Sequence, residues 1–91
     1  MSNPIIDKNG HQRWYKDGKY HREDGPAVIL TSGTEFWYKD GRRHREDGPA
    51  SIFGDGDQYW YKNDVRYTFE GYCKAMNFSN EKILELKLRY L

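Results

Sequence analysis

The tetrapeptide HRED occurs twice, at 21–24 and at 44–47, and it combines side-chain types that bind divalent metal ions. If each repeat contributes two adjacent strands, equivalent positions lie about 10 Å apart, twice the strand spacing of roughly 4.8 Å. His21 and His44 therefore cannot share one ion, and a site within one copy would need all its ligands from a single tight loop. We expect the imidazoles and carboxylates to satisfy backbone groups in a polar turn and to pair with Arg22 and Arg45.

Catalytic chemistry is not favoured by the pattern either. A nucleophile with an oriented base needs distinct residues that converge in one concave site, whereas here the same groups recur once per repeat. No glycine-rich phosphate loop leads from a strand into a helix. Cys73 is the only cysteine, which excludes a disulfide within the chain, and it falls on the apolar side of a predicted helix. We predict a protein that is not an enzyme and that carries neither a metal nor a cofactor.

Three tryptophans with polar neighbours, close to lysines and arginines, form the candidate binding site. Its residues are Trp14, Trp37, Trp60, Lys39, Arg42, Arg43, Arg45 and Lys62. Tryptophan and arginine are enriched among the residues that dominate protein interfaces, which makes a protein partner the leading interpretation. Rings beside cations are also typical of proteins that bind nucleotides or single-stranded nucleic acids, which is the alternative. Acidic residues interleave with these cations and the net charge is only +1, so no general attraction to phosphate is expected.

These residues recur because the chain repeats itself every 23 residues. The period relates the three tryptophans to one another, and also the glycines at 10, 33 and 56. A period of this size predicts stacked supersecondary units, each of which needs its neighbour to bury a face. We divide the chain into a repeat sheet at 1–67 and a C-terminal helical cap at 68–91. The sheet comprises a half repeat at 3–13, full repeats at 14–36 and 37–59, and a partial repeat at 60–67.

Each repeat has the pattern of an antiparallel β-hairpin. The segment 35–39 is short and aromatic, and Asp40-Gly41 after it accepts the positive φ angles of a tight hairpin turn. A second turn at 47–49 leads into a second strand. The sequence therefore predicts a mainly β fold, an antiparallel hairpin meander with a helical cap at its C-terminal end.

Side-chain alternation assigns the residues of a strand to two faces. Trp37 lies on one face of its strand, and Phe36 and Tyr38 lie on the other. We predict that the face of tyrosine, phenylalanine and isoleucine is the core, since a two-residue turn would place Ile29 opposite Phe36. The tryptophans would then face solvent. A slip of one residue in the strand register would reverse this assignment.

The C-terminal segment, 68–91, is predicted to form two short helices. Apolar residues lie at helical spacing between Phe69 and Met76, Asn77 can end the first helix, and Ser79 can cap the second. The second helix carries an apolar stripe of Ile83, Leu84, Leu88 and Leu91. We interpret this C-terminal segment as a cap that shields the last repeat. It also has the length of a helix-turn-helix, although the mixed charges of its second helix do not favour DNA strongly.

The segments YKDGKYHREDGPA (15–27) and YKDGRRHREDGPA (38–50) resemble the MORN repeat, a β-hairpin unit of similar period. The matching positions are Gly18 and Gly41 for the turn glycine and His21 and His44 for the histidine. The chain departs from the MORN pattern where arginine, at 22 and 45, follows the histidine in place of the usual glycine. The HREDGPA variant is similar to a divergent form found in small proteins of tailed bacteriophages and giant viruses.

This resemblance implies an interaction module. Its concrete form is a small phage-type protein that binds and modulates a host protein, such as a component of a defence system. The start of the chain lacks a basic segment followed by an apolar one, and no apolar run approaches the roughly 20 residues that span a bilayer. We therefore expect the protein in the cytoplasm, away from membranes. Self-association through a sheet edge at Pro4 or through the C-terminal helices is left open.

Overall fold

A computed structural model describes residues 3–91, in which antiparallel hairpins are followed by two helices. The strands are β1 (Ile5–Ile6), β2 (Gln12–Arg13), β3 (Tyr15–Lys16), β4 (Lys19–Tyr20), β5 (Val28–Ile29), β6 (Glu35–Phe36), β7 (Tyr38–Lys39), β8 (Arg42–Arg43), β9 (Ser51–Ile52), β10 (Gln58–Lys62) and β11 (Val65–Tyr67). The helices are α1 (Phe69–Ala75) and α2 (Asn80–Tyr90). The predicted mainly β fold with a helical C-terminal end is confirmed. Neither helix has the length and hydropathy that a bilayer-crossing helix needs.

Seven strands form one main sheet, and the remaining four form two separate hairpins. The main sheet has the order β1-β2-β5-β6-β9-β10-β11, while β3 pairs with β4 and β7 pairs with β8. The chain changes pairing partner at the tryptophans. The amide of Trp37 donates to the carbonyl of Ala50 (2.7 Å), while its own carbonyl accepts the amide of His44 (3.1 Å). Equivalent contacts surround Trp14, so each tryptophan marks the point where a strand passes from the sheet into a hairpin.

Two-residue turns close the hairpins as the sequence predicted. Asp40 and Gly41 have φ angles of 52° and 80°, which is the type I′ geometry that suits the twist of a hairpin. Asp17 and Gly18 form the same turn between β3 and β4, and Asn63-Asp64 forms it between β10 and β11.

The other turn is longer than the two residues we assumed. The Leu30 amide donates to the Thr34 carbonyl (2.9 Å), and Gly33, with φ of 91°, donates to the Leu30 carbonyl (2.9 Å). A three-residue loop with glycine in the left-handed region has this pattern. The register becomes Val28 opposite Phe36 and Ile29 opposite Glu35. The prediction that Ile29 faces Phe36 is therefore wrong by one residue.

The corrected register places Ile29 on the face of Trp37, and the exposure of the aromatic side chains also differs from the prediction. Trp14 and Trp60 are 7% and 4% exposed, whereas Tyr15 and Phe53 are 37% and 36% exposed. The tryptophan face is buried because the HREDGPA loops and the helices cover it. At the hairpins the tyrosine side is the more open one, while in the main sheet Val28 and Ser51, which lie opposite Phe36, are buried. The prediction that the tyrosine face forms the core is therefore wrong at the hairpins.

The cap packs on the last tryptophan. Trp60 forms the main apolar cluster with residues of both helices, namely Phe69, Tyr72, Cys73 and Leu86. As predicted, Asn77 ends α1 with a φ of 56°, and the Ser79 hydroxyl caps α2 by accepting the Lys82 amide. The predicted apolar stripe is wrong in part, because Leu86 is the fully buried residue of α2 while Leu88 is 79% exposed. Leu84 and Leu91 are also exposed.

Candidate functional site

Each HRED loop wraps an arginine over a tryptophan. The guanidinium carbon of Arg45 lies 3.8 Å from the centre of a Trp37 ring, and Arg22 lies 3.9 Å from Trp14. Arg45 donates to the Asp47 carboxylate (3.2 Å) and to the Pro49 carbonyl (3.1 Å), so its own loop closes around it. Arg22 makes the same contacts with Asp24 and Pro26. The predicted pairing of these arginines with the carboxylates is confirmed.

The histidines join neighbouring repeats. His21 Nδ1 accepts the amide of Asp40 (3.0 Å), and His44 Nδ1 accepts the amide of Asn63 (3.2 Å). In each case the donor is the first turn residue of the next hairpin. The other ring nitrogen of His21 lies 2.8 Å from Glu23. The prediction that the histidines satisfy backbone groups is confirmed, and the turn that each one serves belongs to the following repeat.

Trp60 has no HRED loop, and the cap takes its place. The rings of Phe69, Tyr72 and Tyr90 surround Trp60 with centroid distances of 5.0, 5.0 and 5.6 Å. The Tyr90 hydroxyl also accepts a hydrogen bond from Arg45 (3.0 Å). The cap therefore fixes the last tryptophan and the arginine of the preceding repeat together.

A row of tyrosines and one arginine crosses the hairpins on the opposite face, and we call it the tyrosine ladder. Its members are Tyr15, Tyr20, Tyr38, Arg43 and Tyr61. Tyr20 lies between Tyr15 and Tyr38 with centroid distances of 5.1 Å on both sides, stacked on Tyr15 and tilted against Tyr38. Arg43 continues the row by donating to the hydroxyls of Tyr38 (3.3 Å) and Tyr61 (3.2 Å). All five side chains are half-buried or exposed, so the ladder is a surface that a partner can reach.

Electrostatics holds the arginine of the ladder in its charged form. Burial alone would lower the pKa of Arg43, but its hydrogen bonds to Tyr38 and Tyr61 raise the pKa above its ordinary value. The guanidinium also lies 5.0 Å from the centre of the Phe36 ring. Arg66 has the corresponding place 4.2 Å from Tyr59. The first repeat has the two residue types exchanged, with arginine at 13 and tyrosine at 20.

The predicted binding residues do not form one surface. Trp14, Trp60 and Arg45 are buried, and Trp37 is half-buried beneath Arg45. Lys62 donates to the carbonyl of Ala75 (2.9 Å). Lys39 and Arg42 are exposed near the hairpin turns, and Arg43 belongs to the tyrosine ladder. The tyrosines of the ladder are absent from the predicted set because the faces were exchanged. The recurrence of Tyr15, Tyr38 and Tyr61 every 23 residues was the signal that could have found three of them.

Three clefts lie near the hairpins. One has a volume of about 510 Å³ and is lined by three cations, Lys19, Lys39 and Arg42, together with Asp40 and Glu46. Another, of about 270 Å³, lies beside Trp37 between the two HRED loops and is lined by four carboxylates, two arginines and one lysine. The third, of about 590 Å³, lies beside Trp14 and is lined by Tyr15 and the first HRED loop. Within residues 3–91, no three His, Cys, Asp or Glu side chains are grouped to hold a metal ion.

The single thiol is packed in the cap. Cys73 is 3% exposed and belongs to the cluster around Trp60. Burial raises the pKa of the thiol above its ordinary value, so the thiolate that would act as a nucleophile is disfavoured. The prediction of a packed thiol is confirmed.

Comparison with known proteins adds no assignment. The chain matches no protein-family model, and neither the curated proteins nor the solved structures give a match.

Proposed function

We propose that this chain is a small, non-enzymatic protein-binding module built from MORN-like hairpin repeats. In its concrete form it is a phage-type modulator that binds a host protein, such as a defence component, in the host cytoplasm. The observation that supports this most is the tyrosine ladder, a continuous row of reachable tyrosine and arginine side chains across three hairpins. Tyrosine and arginine are enriched among the residues that contribute most to protein interfaces.

The ladder is suited to binding because its side chains are already held in place. Tyr20 contacts a tyrosine ring on both sides, and Arg43 is hydrogen-bonded to tyrosines on both sides. Side chains that are ordered before binding lose less conformational entropy when a partner arrives. Of the clefts described above, only the one beside Trp14 contains a ladder residue, Tyr15, and the other four members line none of them. Most of the ladder is therefore a broad surface, which fits a protein better than a small molecule.

The repeat geometry supports the MORN-like assignment. The glycines matched to the MORN pattern, Gly18 and Gly41, are both in type I′ turns with positive φ. The matched histidines, His21 and His44, both bind the turn of the next hairpin. The residue types that carry the resemblance thus have the same structural role in both copies.

Affinity capture from a bacterial lysate tests the proposal when wild-type protein is compared with two charge reversals. Arg43→Glu replaces the central cation of the ladder, and Arg89→Glu makes the same charge change on α2, where Arg89 is half exposed. We expect wild type and Arg89→Glu to retain one dominant protein, and Arg43→Glu to lose it. Circular dichroism must show that both variants are folded. Equal capture by all three proteins would contradict binding through the ladder.

A nucleotide is the second candidate, and the cationic cleft near the hairpin turns favours it. Its volume of about 510 Å³ lies within the range of small-molecule sites, and Lys19, Lys39 and Arg42 could contact phosphate groups. Asp40 and Glu46 in the same lining weaken that attraction. A nucleotide binder should co-purify with material that absorbs near 260 nm, and its melting temperature should rise when a nucleotide is added well above its dissociation constant. A protein modulator should show neither behaviour.

A further inference from the structure

Neighbouring hairpins are joined by the same contacts at both junctions inside the chain. At the first junction, the Gly41 amide donates to the Tyr20 carbonyl (2.9 Å), and the Tyr20 ring packs against the Tyr38 ring with a centroid distance of 5.1 Å. At the second, the Asp64 amide donates to the Arg43 carbonyl (2.8 Å), and Arg43 lies over the Tyr61 ring at 5.2 Å. A junction thus consists of a backbone bond and a side chain placed on a tyrosine.

The first hairpin presents half of such a junction to solvent, and we call this surface the head. It comprises Tyr15 and Gly18, with Ile5 and Ile6 on the neighbouring strand β1. Tyr15 is the equivalent of Tyr38 and Tyr61, and it is 37% exposed. In the part of the chain that the structure describes, the Gly18 amide makes no hydrogen bond outside its own hairpin. Ile5 and Ile6 are each 62% exposed.

The last hairpin presents the other half, and we call this surface the tail. It comprises Val65 and Arg66 on β11, the final strand of the sheet. Arg66 lies over Tyr59, as Arg43 lies over Phe36, but over residues 3–91 it has no tyrosine on its outer side. Its carbonyl is the equivalent of the Arg43 carbonyl that accepts the Asp64 amide. Val65 and Arg66 are both exposed, so these two side chains are accessible although α1 packs against the same strand.

We propose that copies of this chain associate head to tail through these two surfaces. Arg66 of one copy lies on Tyr15 of the next, as Arg43 lies on Tyr61, and the Gly18 amide of the next copy donates to the Arg66 carbonyl. A second copy is the occupant because each end lacks the contact that the other end offers. The two surfaces differ from each other, so the contact is heterologous and each copy can bind one neighbour at its head and another at its tail.

The contact between copies is weaker than the junctions within the chain. Position 67 is a tyrosine where the inner repeats have His21 and His44, so no imidazole is present to accept the amide of the incoming turn. Association therefore depends on protein concentration. Association uses the ends of the hairpin row, whereas the proposed partner binds along its face. Tyr15 belongs to both surfaces, but Arg66 belongs to the tail alone, so Arg66→Glu affects association without changing the ladder.

Sedimentation equilibrium of the full chain tests the proposal. We expect the average mass of wild type to rise with concentration beyond that of two 10.9 kDa protomers. Tyr15→Ser removes the ring of the head, and Arg66→Glu removes the cation of the tail, so each variant alone should stay monomeric. Mixing the two variants leaves one intact head and one intact tail, and we expect dimers that grow no further.

Controls separate this contact from other kinds of association. Arg42→Glu makes the same charge change on the middle hairpin and should associate like wild type. Thermal unfolding must show that each variant is folded, and Arg66→Ala or Tyr15→Thr replaces one that is not. A wild type that stays monomeric at all concentrations would overturn the proposal. A mixture that forms no dimers would do so too, as would a dimer that forms through the β1 edges regardless of Arg66→Glu.

Discussion

The guanidinium of Arg45 lies 3.8 Å from a Trp37 ring and is enclosed by its own loop, whose Asp47 and Pro49 accept its hydrogen bonds. The side chain is only 9% exposed, and the Tyr90 hydroxyl on α2 accepts a third bond. In the corresponding pair, Arg22 on Trp14, residues 3–91 provide no such partner from the helices, and the Arg22 side chain is 23% exposed. One motif therefore gives two arginines with different surroundings.

The two arginines should contribute unequally to stability. We expect Arg45→Ala to lower the free energy of unfolding by about 3 kcal/mol, because a desolvated cation–π contact and three hydrogen bonds are lost. Arg22→Ala should lower it by about 1 kcal/mol, since its contacts are more hydrated. Urea denaturation of both variants measures the difference. Equal losses would show that Tyr90 and the cap add nothing to the second repeat.

The glycine of the HREDGP loop should be needed more strictly in the second repeat. A Cβ added to Gly48 would lie 2.7 Å from the Arg45 guanidinium carbon and 2.8 Å from the Tyr90 hydroxyl, whereas a Cβ added to Gly25 would lie 2.8 Å from the more exposed Arg22. Arg22 can move into solvent, and Arg45 cannot. We expect Gly48→Ala to cost about 2–3 kcal/mol and Gly25→Ala about 1 kcal/mol or less. A larger loss for Gly25→Ala would contradict the proposed confinement of Arg45.

The sequence predicted the hairpins but not their register. Asp-Gly pairs at 17–18 and 40–41 identify two-residue turns because both positions must adopt positive φ. The turn from Leu30 to Thr34 contains Gly33 in a three-residue loop, and its extra residue shifts the pairing by one. Gly33 recurs with Gly10 and Gly56 at the repeat period, which was a sign that this glycine has a fixed conformational role.

The burial of the tryptophans could not be predicted from strand alternation. Alternation separates Trp37 from Tyr38, but it does not say which face is covered. The cover comes from elements outside the strands, namely the arginine of the HRED loop and, for Trp60, both helices. The tyrosine ladder was missed for the same reason, since the chemistry of Tyr20 and Arg43 depends on which face is open.

The apolar residues of α2 should divide sharply into structural and exposed ones. Leu86 is completely buried against Trp60 and α1, while Leu88, two residues later, is 79% exposed. We expect Leu86→Ala to lower the free energy of unfolding by about 2–5 kcal/mol and Leu88→Ala to change it by less than about 0.5 kcal/mol. Chemical denaturation followed by tryptophan fluorescence measures both. A substantial loss for Leu88→Ala would mean that this face of α2 is covered by something outside the monomer.

Tyr72 should make stability fall at high pH. Burial raises the pKa of its hydroxyl above the ordinary value of 10.0, and the hydroxyl donates a hydrogen bond to the Arg45 carbonyl. A pKa raised in the folded state means that the contribution is complete below the unfolded pKa and is lost as the pH rises through the folded pKa.

Tyr72→Phe isolates this effect, because the other tyrosines are common to both proteins. At neutral pH the variant should be less stable by about 1–2 kcal/mol, since the Arg45 carbonyl loses its donor. Above pH 10 the wild type should lose stability faster than the variant, so the difference between them should shrink. Urea denaturation at a series of pH values from neutral upward measures this difference. A gap that stays constant above pH 10 would mean that Tyr72 ionises as readily in the folded chain as in the unfolded one.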